Sequence, residues 1–109
     1  MNFGDYQKGT AKTRLESTYN NKLIYPTLGL AGEAGELAGK VSKILRDQDG
    51  VVTEENVDYI KKEVGDCLWF LSEICADVGI TLESAAEYNY QKLMDRMARN
   101  VIGGSGDER

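Results

Sequence analysis

The stretch between residues 57 and 78 constrains the fold more than any other part of this chain. Apolar side chains recur there at alternating steps of three and four, the spacing that keeps residues on one face of an α-helix. These residues are Val57, Ile60, Val64, Cys67, Leu71, Ile74 and Val78. A second seam with similar spacing consists of Leu30, Ala34, Leu37, Val41 and Ile44. Continuous seams of this kind are typical of helical bundles, so the sequence predicts an all-α fold.

Local signals divide the chain into four predicted helices, near residues 3–18, 27–47, 54–78 and 82–100. Thr53 and Thr81 are good N-caps for the third and fourth, because their hydroxyls can accept a hydrogen bond from the first turn. Gly50 and Gly79 mark helix ends, because glycine tolerates the left-handed conformation found there. Pro26, the only proline, is predicted to lie between the first two helices.

At 109 residues the chain has the length of one domain with one modest core. We expect a four-helix bundle-like domain over residues 1–102. The last seven residues, 103–109, are rich in glycine and contain no core-forming side chain. They are predicted to form a flexible tail.

Composition excludes several classes of function. The net charge of −5 argues against nonspecific binding to nucleic acid, which depends on excess Lys and Arg. The chain has no histidine, which removes histidine-based acid–base catalysis, catalytic triads and nearly all typical zinc sites. No apolar run is long enough to span a membrane, and the N-terminal residues do not resemble a signal peptide. Cys67 and Cys75 lie too far apart on one helix for a mutual disulfide, so we expect free thiols and a cytoplasmic location.

Two short acidic motifs are the strongest functional signal. Glu33 and Glu36 lie three residues apart on the second predicted helix, and Glu63 and Asp66 repeat this spacing on the third. Positions i and i+3 share one face of a helix, and both pairs border the apolar seams. If the seams pack together, four carboxylates converge and repel one another unless a cation neutralises them. Hard divalent ions with oxygen ligands, Mg²⁺ or Mn²⁺, are the natural candidates.

Glycine and basic residues add to this pattern. The second helix carries four glycines, and each one inside a helix costs about 0.5–1 kcal/mol relative to alanine. Because Gly32 and Gly35 surround the acids, we expect a metal site or a partner helix to lie close to them. The fourth helix places one amide and three basic side chains on a single face: Asn89, Lys92, Arg96 and Arg99. Such a stripe suits a phosphate-bearing ligand, although a solvated basic face is the simpler interpretation of the stripe alone.

Together these residues resemble the MazG-like all-α nucleoside triphosphate pyrophosphohydrolases. That family has a Glu-Glu-x-x-Glu motif, then Glu-x-x-Asp on the next long helix, and then an Asn-x-x-Lys-x-x-x-Arg stretch. The first motif is matched by Glu33 and Glu36, with Gly32 replacing its first acid. The other two are matched in full by Glu63, Asp66, Asn89, Lys92 and Arg96. The similarity covers nearly the whole chain, including Gly104-Ser105-Gly106-Asp107.

The resemblance implies metal-dependent hydrolysis of a ribo- or deoxynucleoside triphosphate to the monophosphate and pyrophosphate, as nucleotide-pool house-cleaning. The implied ligands of Mg²⁺, or of Mn²⁺ in its place, are Glu33, Glu36, Glu63 and Asp66. Lys92 joins these four as a catalytic residue. The substrate-binding residues are Asn89, Lys92 and Arg96, with Lys40 also able to reach phosphate. The family resemblance and the apolar seams both predict a homo-oligomer, either a dimer or a tetramer.

Three other interpretations remain open at this point. The first is an enzyme of narrow specificity, such as a dUTPase-like relative of the same fold. The second is a di-iron carboxylate bundle, against which the absence of histidine argues, since such proteins typically use Glu-x-x-His motifs. The third is a noncatalytic helical interaction module whose acids serve only solubility.

Overall fold

The computed structural model describes residues 1–109 and confirms the all-α fold. It contains no strand. Four α-helices and one short 3-10 helix, at residues Glu16–Asn21, account for its regular structure. The α-helices are α1 (Phe3–Thr13), α2 (Ile24–Asp47), α3 (Glu54–Asp77) and α4 (Leu82–Ala98). None of these helices combines the length and hydropathy that crossing a membrane requires.

The helix caps agree with the local sequence signals. Thr53 and Asn56 form a reciprocal capping box, in which the Asn56 N–H donates to Thr53 Oγ1 at 3.2 Å and the Thr53 N–H donates to Asn56 Oδ1 at 3.1 Å. The Ser84 N–H donates to Thr81 Oγ1 at 3.0 Å. Gly50 and Gly79 have φ values of 76° and 79°. These two glycines therefore adopt the left-handed conformation that their positions predict.

The first helix is shorter than predicted. It ends at Thr13, five residues before the expected end at residue 18, and the chain continues through an extended residue, Arg14, into the 3-10 helix. The physical reason is the Arg14 side chain. Its guanidinium donates to the Thr18 carbonyl at 3.2 Å and to Asp77 Oδ1 at 2.8 Å, and both contacts require the backbone to turn away from the helix axis.

The second helix begins at Ile24, three residues earlier than predicted. Pro26 lies inside its first turn, where a missing N–H removes no intrahelical hydrogen bond. A tight turn at Leu23 precedes it, in which the Ile24 N–H donates to the Lys22 carbonyl at 2.7 Å. Leu23 has a φ of 65°, a strained value for a branched residue, and its own N–H donates to Asp77 Oδ2 at 2.7 Å. Asp77 therefore holds both ends of the α1–α2 connection.

Helix α3 is the centre of the fold, because α1, α2 and α4 all pack against it, whereas α2 contacts neither α1 nor α4. Its packed face differs from the predicted seam by one residue of rotation. Ile60, Cys67 and Ile74 are at least partly buried, as expected. The other half of the seam, however, is exposed by 40–53%: Val57, Val64, Leu71 and Val78. The row of side chains one position earlier takes its place: Asn56, Glu63, Phe70 and Asp77.

Helix α2 shows the same rotation. Leu30, Leu37 and Ile44 turn inward, while Ala34 and Val41 are exposed and Glu33 and Lys40 are half-buried. The two rotations together turn the acidic rows of α2 and α3 toward each other. They also leave an apolar strip on the outside of each helix.

Helix α1 is fixed to α3 by a buried polar network. Thr10 Oγ1 donates to Glu73 Oε2 at 2.7 Å and lies 2.8 Å from Ser72 Oγ. The side chains of Arg14 and Asp77 are 0% and 2% exposed. Burial alone would raise the pKa of Asp77, but the Arg14 guanidinium and the Leu23 N–H hold it below its ordinary value.

Candidate metal centre

Three carboxylates converge where the middle of α2 faces α3. One oxygen from each of Glu33, Glu36 and Glu63 lies within 4.8 Å of the other two. Glu63 is buried, with 6% of its surface exposed, Glu33 is half-buried and Glu36 is exposed. The i, i+3 spacing on α2 and the packing of α3 against it place these groups together. We call these three residues the acid cluster.

The acid cluster is electrostatically unbalanced. No lysine or arginine forms a salt bridge with it, and Glu33 Oε2 and Glu63 Oε2 are buried without a hydrogen-bond partner. The pKa of Glu33 is raised to about 7, because it contacts the Glu63 carboxylate, is partly desolvated and lies near the charges of Glu36 and Asp66. Buried, unpartnered carboxylate oxygens are costly, so this donor set fits a hard divalent cation.

Asp66 lies next to the acid cluster but is not one of its three members. Its side chain is exposed, and it lines a cavity together with Glu33. Burial raises the pKa of Tyr6, whose hydroxyl lies 3.4 Å from the Gly65 carbonyl, and the Asp66 charge adds to this rise. The same charge contributes to the raised pKa of Glu33. The structure thus brings three predicted ligands together and places the fourth at the rim.

That cavity, of about 390 Å³, has both polar and aromatic side chains in its walls. Besides the two acids it is lined by Thr13, Leu15, Tyr25, Trp69 and Phe70. The Phe70 ring packs edge-on against Trp69 and Tyr25, with centroids 5.1 Å and 6.0 Å apart. The Trp69 Nε1–H donates to Thr13 Oγ1 at 2.8 Å, which fixes the indole ring. We call this feature the aromatic cavity.

Gly29 allows the Phe70 ring, which lines the aromatic cavity, to lie close to α2. A Cβ at this position would lie 2.2 Å from Phe70 Cε1, so a larger residue would force the ring to move. The sequence also led us to expect a close neighbour at Gly32 and Gly35. In this chain, however, a Cβ at either position would meet nothing within 4 Å. Close packing within the chain therefore explains Gly29 and leaves the other two unexplained.

Tyr59 is a site residue that the sequence analysis did not identify. It lies four residues before Glu63 and shares its helix face. Burial and the charges of Glu63, Glu36 and Glu33 raise the pKa of its phenol. The Lys40 ammonium lies 4.7 Å from the centroid of its ring. The signal was present as helical spacing, but tyrosine at such a position is usually a packing residue.

The basic stripe of α4 is occupied by the C-terminal tail. Lys92 Nζ lies 3.1 Å from Asp107 Oδ1, and Arg96 donates to the Asp107 carbonyl at 2.9 Å and to Oδ1 at 3.3 Å. Arg96 is buried, whereas Asn89 is exposed. Both cations pair with Asp107, and neither forms a salt bridge with the acid cluster in this chain.

Comparison with known proteins agrees with the geometry. A family model, described as the MazG nucleotide pyrophosphohydrolase domain, matches residues 25–100, which include α3, α4 and nearly all of α2. The chain is 48% identical over 87 residues to the Gene 37 protein of Mycobacterium phage L5, a match that covers 80% of this chain and 76% of the phage protein. No solved structure matches the chain. This chain therefore belongs to the MazG nucleotide pyrophosphohydrolase domain family.

Proposed function

We propose that the protein hydrolyses ribo- or deoxynucleoside triphosphates between the α- and β-phosphates, with the monophosphate and pyrophosphate as products. The observation that carries the proposal is the acid cluster, with its two unpartnered buried oxygens, at the edge of an aromatic cavity. Family membership supports the same reaction class. House-cleaning of the nucleotide pool is the role that we propose for this activity.

Glu33, Glu36, Glu63 and Asp66 would hold Mg²⁺, or Mn²⁺ in its place. The bound cation would polarise a phosphate oxygen and lower the pKa of the attacking water. Without histidine in the chain, carboxylates are the groups available to accept a proton from that water.

The aromatic cavity is the candidate site for the base. Its walls offer π-faces at Tyr25, Trp69 and Phe70, and its volume of about 390 Å³ is within the range of small-ligand pockets. No charged side chain other than Glu33 and Asp66 lines it. Because aromatic stacking accepts any base, the cavity by itself favours no single nucleotide, and dUTP-restricted hydrolysis is the alternative that a substrate panel would reveal.

The phosphates would be bound by cations from two places. Lys92 and Arg96, with Asn89 beside them, form one set on α4, and Asp107 would have to leave before phosphate could bind there. Lys40 on α2 contacts the Tyr59 ring and lines a cavity together with Glu36 of the acid cluster. Charge-assisted hydrogen bonds from such groups would stabilise the leaving pyrophosphate.

We also propose a homo-oligomer, a dimer or a tetramer. The radius of gyration is 16.8 Å, against about 13 Å for a compact domain of this length. The accessible surface is 7906 Å², against about 6,000 Å² for a compact monomer of this size. The exposed row Val57, Val64, Leu71 and Val78 supplies apolar surface that a second copy can bury.

Product analysis tests the proposed function. The protein is incubated with Mg²⁺ and a panel of ribo- and deoxynucleoside triphosphates, and pyrophosphate is distinguished from orthophosphate. Glu36→Gln and Asp66→Asn are expected to abolish pyrophosphate release, whereas Glu87→Gln, an exposed acid of α4, is the matched control and retains it. Orthophosphate as the product, or full activity in excess EDTA, would refute the assignment. An absence of activity combined with an absence of metal binding would favour the noncatalytic module.

A further inference from the structure

A second cavity continues from the acid cluster in the opposite direction from the aromatic cavity. It has a volume of about 310 Å³ and is lined by Glu36, Gly39, Lys40, Lys43 and Tyr59. Glu36 belongs to both features, so the second cavity opens directly beside the acid cluster. A smaller cavity of about 180 Å³ follows, and Lys40 and Lys43 line it as well. We call the 310 Å³ cavity the lysine groove.

The helical register places the lysine groove on the side that faces the α2–α3 loop. Lys40 and Lys43 follow Glu36 by four and seven residues, which corresponds to about 6 Å and about 10 Å along the axis of α2. On the antiparallel α3, Tyr59 precedes Glu63 by four residues. The aromatic side chains Trp69 and Phe70 lie beyond Glu63 in the other direction. The α2–α3 face thus runs from an aromatic end, through the carboxylates, to a cationic end.

Both lysines are free to bind an anion. Neither forms a salt bridge in this chain, although acidic residues surround them. Lys40 is half-buried and lies 4.7 Å from the centroid of the Tyr59 ring, a cation–π contact that restricts its position. Tyr59 lines the groove together with Glu36, and a phenol can donate to an anionic oxygen. Gly39 leaves the groove open, because a Cβ there would meet nothing within 4 Å.

We infer that the lysine groove binds the β- and γ-phosphates of the substrate, through Lys40, Lys43 and the Tyr59 hydroxyl, and so sets the direction in which a nucleotide lies along α2 and α3. The inference rests on the proposed function for the identity of the ligand. The base would occupy the aromatic cavity, the α-phosphate would lie at the acid cluster, and the leaving pyrophosphate would point toward residues 48–53. Lys40 and Lys43 would then neutralise charge on the group that departs.

The test compares two probes that differ only in the terminal phosphates. Calorimetry with Mg²⁺ measures the binding of an α,β-methylene deoxynucleoside triphosphate, which cannot be cleaved at that bond, and of the matching monophosphate. All four bases are screened, and the one that the unmodified protein binds most tightly is used. The variants are Lys40→Met, Lys43→Met, Tyr59→Phe and Gly39→Leu, which fills the groove without changing its charge. Lys61→Met, an exposed lysine of α3, is the matched control, and circular dichroism checks that each variant folds.

We expect Lys40→Met to weaken binding of the triphosphate analogue about tenfold or more, because one charge-assisted contact is lost. Binding of the monophosphate should change by less than about twofold, since the groove lies beyond the α-phosphate. Gly39→Leu should show the same contrast, and Tyr59→Phe a smaller one. The affinity for Mn²⁺ alone should hold or rise in Lys40→Met, because a positive charge near the carboxylates is removed.

Equal losses for the two probes, or unchanged triphosphate binding in all four variants, would overturn the inference. The unmodified protein's failure to bind the analogue would overturn it as well. The proposed function fails separately, if the product assay yields no pyrophosphate while the contrast between the two probes persists. Pyrophosphate release with no contrast would leave the reaction in place and refute the lysine groove.

Discussion

Gly29→Ala should destabilise the protein, although alanine is the best helix-forming residue. The ideal Cβ would lie 2.2 Å from Phe70 Cε1, 2.3 Å from Cζ and 2.7 Å from Cδ1, far inside van der Waals contact. The atoms concerned belong to an aromatic ring held edge-on by Trp69 and Tyr25, so the ring cannot move alone. Overpacking of this kind costs about 1–3 kcal/mol.

Gly32→Ala is the matched control, one turn further along the same helix. A Cβ there meets nothing within 4 Å in this chain, so the substitution should stabilise the protein by about 0.5–1 kcal/mol through helix propensity. Because both substitutions gain the same helix propensity, the free energies of unfolding of the two variants should differ by the overpacking cost alone, about 1–3 kcal/mol. In a thermal melt this corresponds to a separation of roughly 4 °C or more. Circular dichroism at 222 nm, without ligand and at matched concentration, measures it.

Phe70→Leu provides the decisive further measurement. The shorter side chain should relieve the clash, so that Gly29→Ala costs less in the Phe70→Leu background than in the unmodified protein. Equal melting temperatures for Gly29→Ala and Gly32→Ala would refute the reasoning. The reasoning would also be refuted if Gly29→Ala lowered the free energy of unfolding equally in both backgrounds, because the clash with the ring would then not be the cause of the loss.

Three other substitutions probe separate parts of the structure. Arg14→Met should lower the free energy of unfolding, measured by urea denaturation, by about 3–5 kcal/mol, because it leaves buried carboxylates unpaired. Arg46→Met breaks an exposed pair and should lower it by less than about 1 kcal/mol. Similar losses in the two variants would contradict the buried network. The pKa of Glu33 rises from 4.5 to about 7 on folding, so the folded chain binds this proton more tightly, and metal-free stability should fall as pH rises from about 4.5 to about 7. Melts across that range should lose this slope in Glu33→Gln, and a slope that persists would assign it to another group. Lys92→Ala should lower kcat/KM about tenfold, measured by pyrophosphate release, while Lys12→Ala, on a helix without an acid pair, should leave it unchanged; equal effects would remove α4 from the phosphate site.

Much of the helical structure could be predicted because its signals are local. Threonine hydroxyls cap helices within three residues of themselves, and the glycines at helix ends act through their own φ angles. The pairing of acids at i and i+3 is equally local, so Glu33 and Glu36 were expected to lie side by side. The end of α1 was not predictable in this way. It depends on Arg14 reaching Asp77, which is 63 residues further along the chain.

The sequence by itself determined that the chain is helical, where most helices begin and end, and which carboxylates lie in pairs. Tertiary structure alone decided which face of each long helix is buried. On α3, the row that packs inward carries Glu63 and Phe70, whereas the purely apolar row beside it, with Val64 and Leu71, is left exposed. The chosen rotation turns Glu63 inward and Val64 outward, which places the acid cluster between the helices. It also brings Phe70 against Gly29, a contact between residues on different helices. Helical periodicity fixes the spacing of side chains on one helix, whereas the rotation of two helices about their axes is set by how their surfaces fit together.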